Sequence, residues 1–78
     1  MVPLSELHAG ETGVVQILSG GRGVVSRLAA LGFTPEAEVR VMQNFGHGPL
    51  IVSVRDTRIA LGRGEAGKIQ VLKKEAVR

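Results

Sequence analysis

Two histidines are the first residues to weigh, because a neutral imidazole serves both as a metal ligand and as a proton carrier. His8 lies two residues from Glu6 and three from Glu11, and His47 sits in the run Phe45-Gly46-His47-Gly48-Pro49. A structural zinc site wants four N or S ligands, and a catalytic one wants three plus water. The chain has no Cys, so thiolate sites and disulfides are excluded, and two separated histidines read as surface residues. No cofactor or metal is expected. Ser5, Ser19, Ser26 and Ser53 lack His-and-acid partners in any pattern that would place them together. Glu36 and Glu38 would share one face of a strand, but acid–base work needs a sheltered cleft to shift their pKa values. Gly20-Gly21-Arg22-Gly23 leads into a helical pattern as a phosphate loop would, yet it lacks the Gly-Lys-Ser/Thr ending and the dinucleotide spacing. It reads as a hinge between strand and helix, and the chain as a non-enzyme.

Charge points toward binding instead. Net charge is +3, unevenly spread: three arginines against four glutamates give −1 over residues 1–43, and seven basic against three acidic residues give +4 over residues 44–78. A basic half can meet an acidic protein, an anionic membrane surface or nucleic acid. Arg58, Arg63 and Lys68 are of the type that contacts phosphates. With two Phe and no Trp or Tyr, however, the stacking aromatics of nucleic-acid binders are missing, so nucleic acid is not the expected partner. The candidate partner-binding residues are Arg27, Phe33, Arg58 and Arg63. Arg27 lies beside Leu28 and off its apolar stripe. Phe33 follows a helix-ending glycine, where it either closes the core or protrudes. Arg and aromatic residues are enriched in interface hot spots.

The elements that must carry these residues are short. The 78 residues leave room for one domain, 1–78, with a thin core. Val14 to Leu18 is β-branched and bounded by turn residues, so it reads as a strand. Val24, Leu28 and Leu31 recur at i, i+4 and i+7 and form the buried stripe of a helix of about two turns. Gly32 ends it and Thr34-Pro35 blocks its continuation. Positions 39, 41 and 45 share one face of a second strand. Leu50, Val52 and Val54 alternate through a third. Asp56-Thr57 is short enough for a hairpin turn. Ile59 and Leu61 alternate through a fourth strand, Gly62 to Gly67 is a turn with room for one 3₁₀ turn, and Ile69 and Val71 make the last strand. Lys73 to Arg78 reads as a frayed, charged tail. The expected fold is mainly β: a small barrel of about five strands with a short helix inserted after the first. The opening Met1-Val2-Pro3-Leu4 has neither a basic leader nor a long apolar run, so the expected location is cytoplasmic, with no span of a membrane.

A series of phrases is similar to one family. Leu4-Ser5-Glu6-Leu7 with Gly10-Glu11-Thr12-Gly13-Val14-Val15 resembles its opening. Arg27-Leu28-Ala29-Ala30-Leu31-Gly32-Phe33-Thr34-Pro35 resembles its helix and exit turn, and Glu38-Val39-Arg40-Val41 its next strand. Gly48-Pro49-Leu50-Ile51-Val52-Ser53-Val54 and Ile59-Ala60-Leu61 resemble its hairpin, and Glu65-Ala66-Gly67-Lys68-Ile69-Gln70-Val71 its close. Together these resemble the ferrous iron transport protein A (FeoA) family over about residues 4 to 72. Two positions depart: Glu36 stands where members usually have Gly after the proline, and Gly is absent near Asp56-Thr57. The resemblance implies an SH3-like barrel and a cytoplasmic accessory that contacts and modulates FeoB, a membrane ferrous iron permease with a GTP-binding domain. It implies no enzymatic activity and leaves the oligomeric state open. The alternative it carries is an SH3-like regulatory or nucleic-acid-binding module related to the C-terminal domain of iron-dependent repressors.

Overall fold

The computed structural model describes residues 1–74. The chain runs β1 (Val2–Pro3), a 3₁₀ turn (Leu4–Glu6), β2 (Thr12–Leu18), α1 (Arg22–Ala30), β3 (Glu38–Gln43), β4 (Leu50–Val54), β5 (Thr57–Leu61), α2 (Arg63–Ala66) and β6 (Ile69–Lys74). All six strands pair antiparallel in one sheet, in the order β1-β6-β2-β3-β4-β5. The last strand therefore slots between the first two, which ties the two ends of the described chain together.

The two-residue period decides which face is inside. Val39 and Val41 of β3, Leu50, Val52 and Val54 of β4, and Ile69 and Val71 of β6 are all buried. Leu4 from the 3₁₀ turn, Leu7 just after it, Leu28 from α1 and Phe33 beyond it fill the same core. No polar or charged residue is buried among the described residues. Gly13 in β2 is there because space is short: a Cβ on it would come within 2.6 Å of Val71 Cγ2.

Several expectations are corrected. Val2–Pro3 forms an extra short strand against Val71 and Gln70, so there are six strands and the helix follows the second. Lys73 and Lys74 are not tail residues; they belong to β6, opposite Gly13 and Thr12, and residues 75–78 lie outside the described residues. The hairpin turn is Arg55-Asp56, one residue earlier than expected, with φ of 49° and 63°. Those values are the left-handed pair of a type I′ turn, held here without glycine. Residues 62–67 hold one short α-turn rather than 3₁₀. Glu36 is not in a strand with Glu38. It occupies the third position of a Thr34-to-Ala37 turn with φ of 72°, so the two carboxylates share no face.

Two irregularities defeat simple alternation. β3 shifts register between Val41 and Gln43 and ends there, so Phe45 is 71% exposed instead of joining Val39 and Val41 inside. The helical stripe is likewise shorter than its spacing implies. Leu28 is fully buried, Val24 only partly, and Leu31, the C-cap residue outside the helix proper, is 41% exposed.

Candidate partner-binding surface

The four candidate residues do not form one patch. Phe33 is the clear correction: its side chain is fully buried, so it cannot touch a partner. Gly32, at φ 109°, turns the chain back on itself. Gly32 N–H then donates to Ala29 and Phe33 N–H to Leu28. These are the paired bonds of a Schellman cap, which brings the residue after the glycine back toward Leu28, the buried residue of the helix.

Arg27 is exposed and points off the core, but it is not a free cation. Its guanidinium binds the Glu65 carboxylate, with the side chains 60% and 31% exposed. The pair ties α1 to α2. Arg63, on the same short helix, is held from another side. Its Nη2 donates to Asn44 Oδ1 at 2.6 Å and its Nη1 to the Ser5 carbonyl at 3.4 Å, while its buried Nε has no hydrogen-bond partner. Asn44 in turn donates to the carbonyls of Ser5 and Leu7 at 3.1 and 2.7 Å and accepts from Gly46 N–H at 3.0 Å. Ser5, Glu6, His8, Asn44, Gly46 and Arg63 line an open cleft of about 270 Å³. Sequence reading missed Asn44. Its signal was an Asn two residues before a Gly, the pattern of a side chain closing its own turn.

Of the charged residues lining the cleft, His8 alone is within ion-pair distance of an opposite charge, Glu11; the other ion pairs lie elsewhere among the described residues. Glu11 accepts from His8 N–H at 2.6 Å and also binds Lys73. The Lys73 ammonium first, and then the His8 N–H, hold the Glu11 carboxyl below its ordinary range. Lys74 pairs with Glu38 at 3.1 Å. No group of three or more His, Asp or Glu is placed to hold a metal ion among the described residues. None of the described helices is long and apolar enough to cross a membrane.

Arg58 stands apart on the solvent face of β5, directly opposite Ser53 of β4. Ser53 lies opposite Arg40 of β3, and Arg40 opposite Thr12 of β2. Arg40 and Arg58 are exposed, and neither is in an ion pair with a described residue.

Comparison with known proteins gives this arrangement a context. A family model described as the FeoA domain matches residues 2–73. A relative from Methanocaldococcus jannaschii, named as a candidate Fe(2+) transport protein A, is 37% identical over 71 residues, covering 91% of this chain and 85% of its own. A crystal structure of an iron uptake regulatory protein, FeoA, is 40% identical with a TM-score of 0.89, covering 94% of this chain and 97% of that one. A zinc-complexed FeoA from Stenotrophomonas maltophilia, described as a prokaryotic SH3 domain protein, is 37% identical with a TM-score of 0.77, covering 91% and 89%. The mainly β, SH3-like fold is thus shared. At 24% identity and a TM-score of 0.83 the same fold recurs in 41% of a manganese-dependent transcriptional repressor, a likeness of fold alone.

Proposed function

The chain belongs to the FeoA family, and on that premise we propose that it is a non-enzymatic, cytoplasmic accessory of ferrous iron uptake that binds and modulates the GTP-binding permease FeoB. The observation that carries this reading is the family match across residues 2–73. An accessory without chemistry of its own acts by binding one state of its partner better than another. Arg27, Arg58 and Arg63 are the proposed contacts. Deleting the gene and measuring ferrous uptake tests the reading, together with a pull-down of the permease's cytoplasmic part. Uptake is expected to fall and the pull-down to succeed; wild-type uptake in the deletion strain overturns the proposal.

A second reading, a regulatory or nucleic-acid-binding module, draws support from the fold shared with the manganese-dependent repressor. Salt-sensitive binding of an oligonucleotide by the isolated chain would favour it.

A further inference from the structure

One edge of the sheet is open. β5 pairs with β4 only, and no hydrogen bond from a described residue reaches its outer side. A two-residue hairpin turn makes its flanking residues, Val54 and Thr57, a hydrogen-bonded pair, and bonded pairs then alternate along the ladder. Val52–Ile59 and Leu50–Leu61 are the next bonded pairs. The N–H and C=O groups of Arg58 and Ala60 therefore face away from β4, into solvent.

The side chains around this edge have a pattern. Ile59 is only partly buried, at the margin of the core, and Leu61 is buried. On the opposite, solvent face the row Arg58–Ser53–Arg40–Thr12 crosses four strands. Strands lie about 4.8 Å apart, so the two guanidinium-bearing positions are roughly 10 Å apart with a hydroxyl between them. Glu38, two residues along β3 from Arg40, is taken by Lys74. Asp56 sits in the turn and joins no ion pair with a described residue.

We propose that β5 is a docking edge for an extended, acidic segment of a partner protein, which adds a seventh strand by bonding to the backbone of Arg58 and Ala60 and sets an Asp or Glu beside Arg58. Two features select this occupant. The free backbone groups ask for an extended chain, as in strand addition to other sheet edges. The unpaired Arg58 and Arg40 ask for negative charge on the solvent face, while Ile59 asks for an apolar neighbour on the inner one. The fitting segment alternates apolar and acidic residues. A second copy of this chain would oppose arginines to a like-charged edge, and a nucleic acid would find no aromatic in the row Arg58–Ser53–Arg40–Thr12 to stack on. The proposal rests on the reading above only in taking the partner to be a protein.

The test needs no permease. The full chain, isotopically labelled, is titrated with a capped nine-residue peptide alternating Val or Thr with Glu, and amide shifts and hydrogen exchange are followed. The expected result is shifts centred on Arg58, Ala60 and Ser53, with slowed exchange at the Arg58 and Ala60 N–H groups. A Gln-for-Glu peptide should bind about 1.4- to 5-fold more weakly for each cross-strand charge pair lost. Arg58→Glu should abolish the preference for Glu over Gln, and Ala60→Pro, which removes only an outward N–H, should abolish binding while the chain stays folded. Shifts confined to other surfaces, equal binding of the Glu and Gln peptides, the same shifts on raising protein concentration alone, or tighter binding of oligo-dT at this row would each overturn the proposal. If the peptide binds but the permease is not pulled down, the docking edge stands and the permease reading fails; the converse result fails the docking edge alone.

Discussion

Phe33 donates its backbone N–H to the Leu28 carbonyl at 3.1 Å, and the side chains of both residues are fully buried. The bond closes the end of α1, and the paired side chains fasten the helix to the sheet. Without this contact α1 would be a nine-residue helix with a Gly N-cap and one buried residue, too short to persist alone.

Leu28→Ala should therefore cost about 2–5 kcal/mol, a large share of the roughly 5 kcal/mol that a domain this small is expected to hold. Leu31→Ala, three residues on but 41% exposed, should cost roughly 0.5–1 kcal/mol, since only part of its apolar area is buried. Urea denaturation separates the two. Equal losses would restore Leu31 to the core stripe.

Glu36 sits at φ 72° in a turn closed by Ala37 N–H to the Thr34 carbonyl, with Pro35 before it. That third turn position favours Gly, and a bulky residue there is held at a conformational cost. Glu36→Gly should stabilise the chain by about 0.5 kcal/mol, the relief of strain being partly offset by a more flexible unfolded state. A melting temperature that falls would mean the Glu36 side chain makes a contribution larger than its strain.

How much could be read in advance follows from range. β4 was fully legible, because Leu50, Val52 and Val54 alternate without interruption and are all buried. The end of α1 was legible because Gly32 and Pro35 act within a few residues. Phe45 was misplaced because one register shift at Met42 cancels the alternation. Leu4 and Leu7 were passed over because a three-residue 3₁₀ turn has no period to detect. Lys73 and Lys74 looked like tail residues until β2 supplied backbone partners and Glu11 and Glu38 supplied charges. The candidate surface was least legible. Arg63 meets Asn44 across 19 residues, and Arg40 comes from the acidic half of the chain to stand in line with Arg58. Local patterns cannot show such pairings.

Gly13→Ala tests the close packing of β2 on β6. The added Cβ would lie 2.6 and 2.8 Å from Val71 atoms and 3.1 Å from Leu7 Cδ1. These neighbours belong to a filled core and cannot swing into solvent, so a loss of about 1–3 kcal/mol is expected. Thermal denaturation is the measurement. An unchanged midpoint would show that β6 can move outward freely.

The Glu11 carboxylate gives stability a pH dependence of known sign. Lys73 and the His8 N–H hold its pKa in the folded chain below the ordinary 4.5. The folded form thus binds a proton less readily than the unfolded one. Its stabilising contribution is complete above the unfolded value and fades as pH falls through the lower, folded value. Glu11→Gln should be less stable than the parent at neutral pH, and the gap should narrow in acid. A gap that stays constant from about pH 6 to pH 2 would place the effect of Glu11 in its shape rather than its charge.

Arg27 offers the sharpest separation of structure from partner binding. Its bond to Glu65 is on the surface, and exposed pairs of this kind contribute about 0.2–1 kcal/mol. Arg27→Glu opposes two carboxylates, so it should lower stability by roughly 1 kcal/mol or less and leave the chain folded. Under the proposed function it should also weaken permease binding and ferrous uptake. The lost stability and the lost cation are confounded in that single variant, and a charge swap separates them. Arg27→Glu combined with Glu65→Arg restores an ion pair of reversed direction, so melting should return close to the parent value. Uptake should stay low, because the cation now projects from α2 instead of α1. If the double variant recovers both stability and uptake, Arg27 serves only to tie the two helices together, and partner contact falls to Arg58 and Arg63. If Arg27→Glu is folded and takes up iron normally, the α1 face is not part of the interface at all.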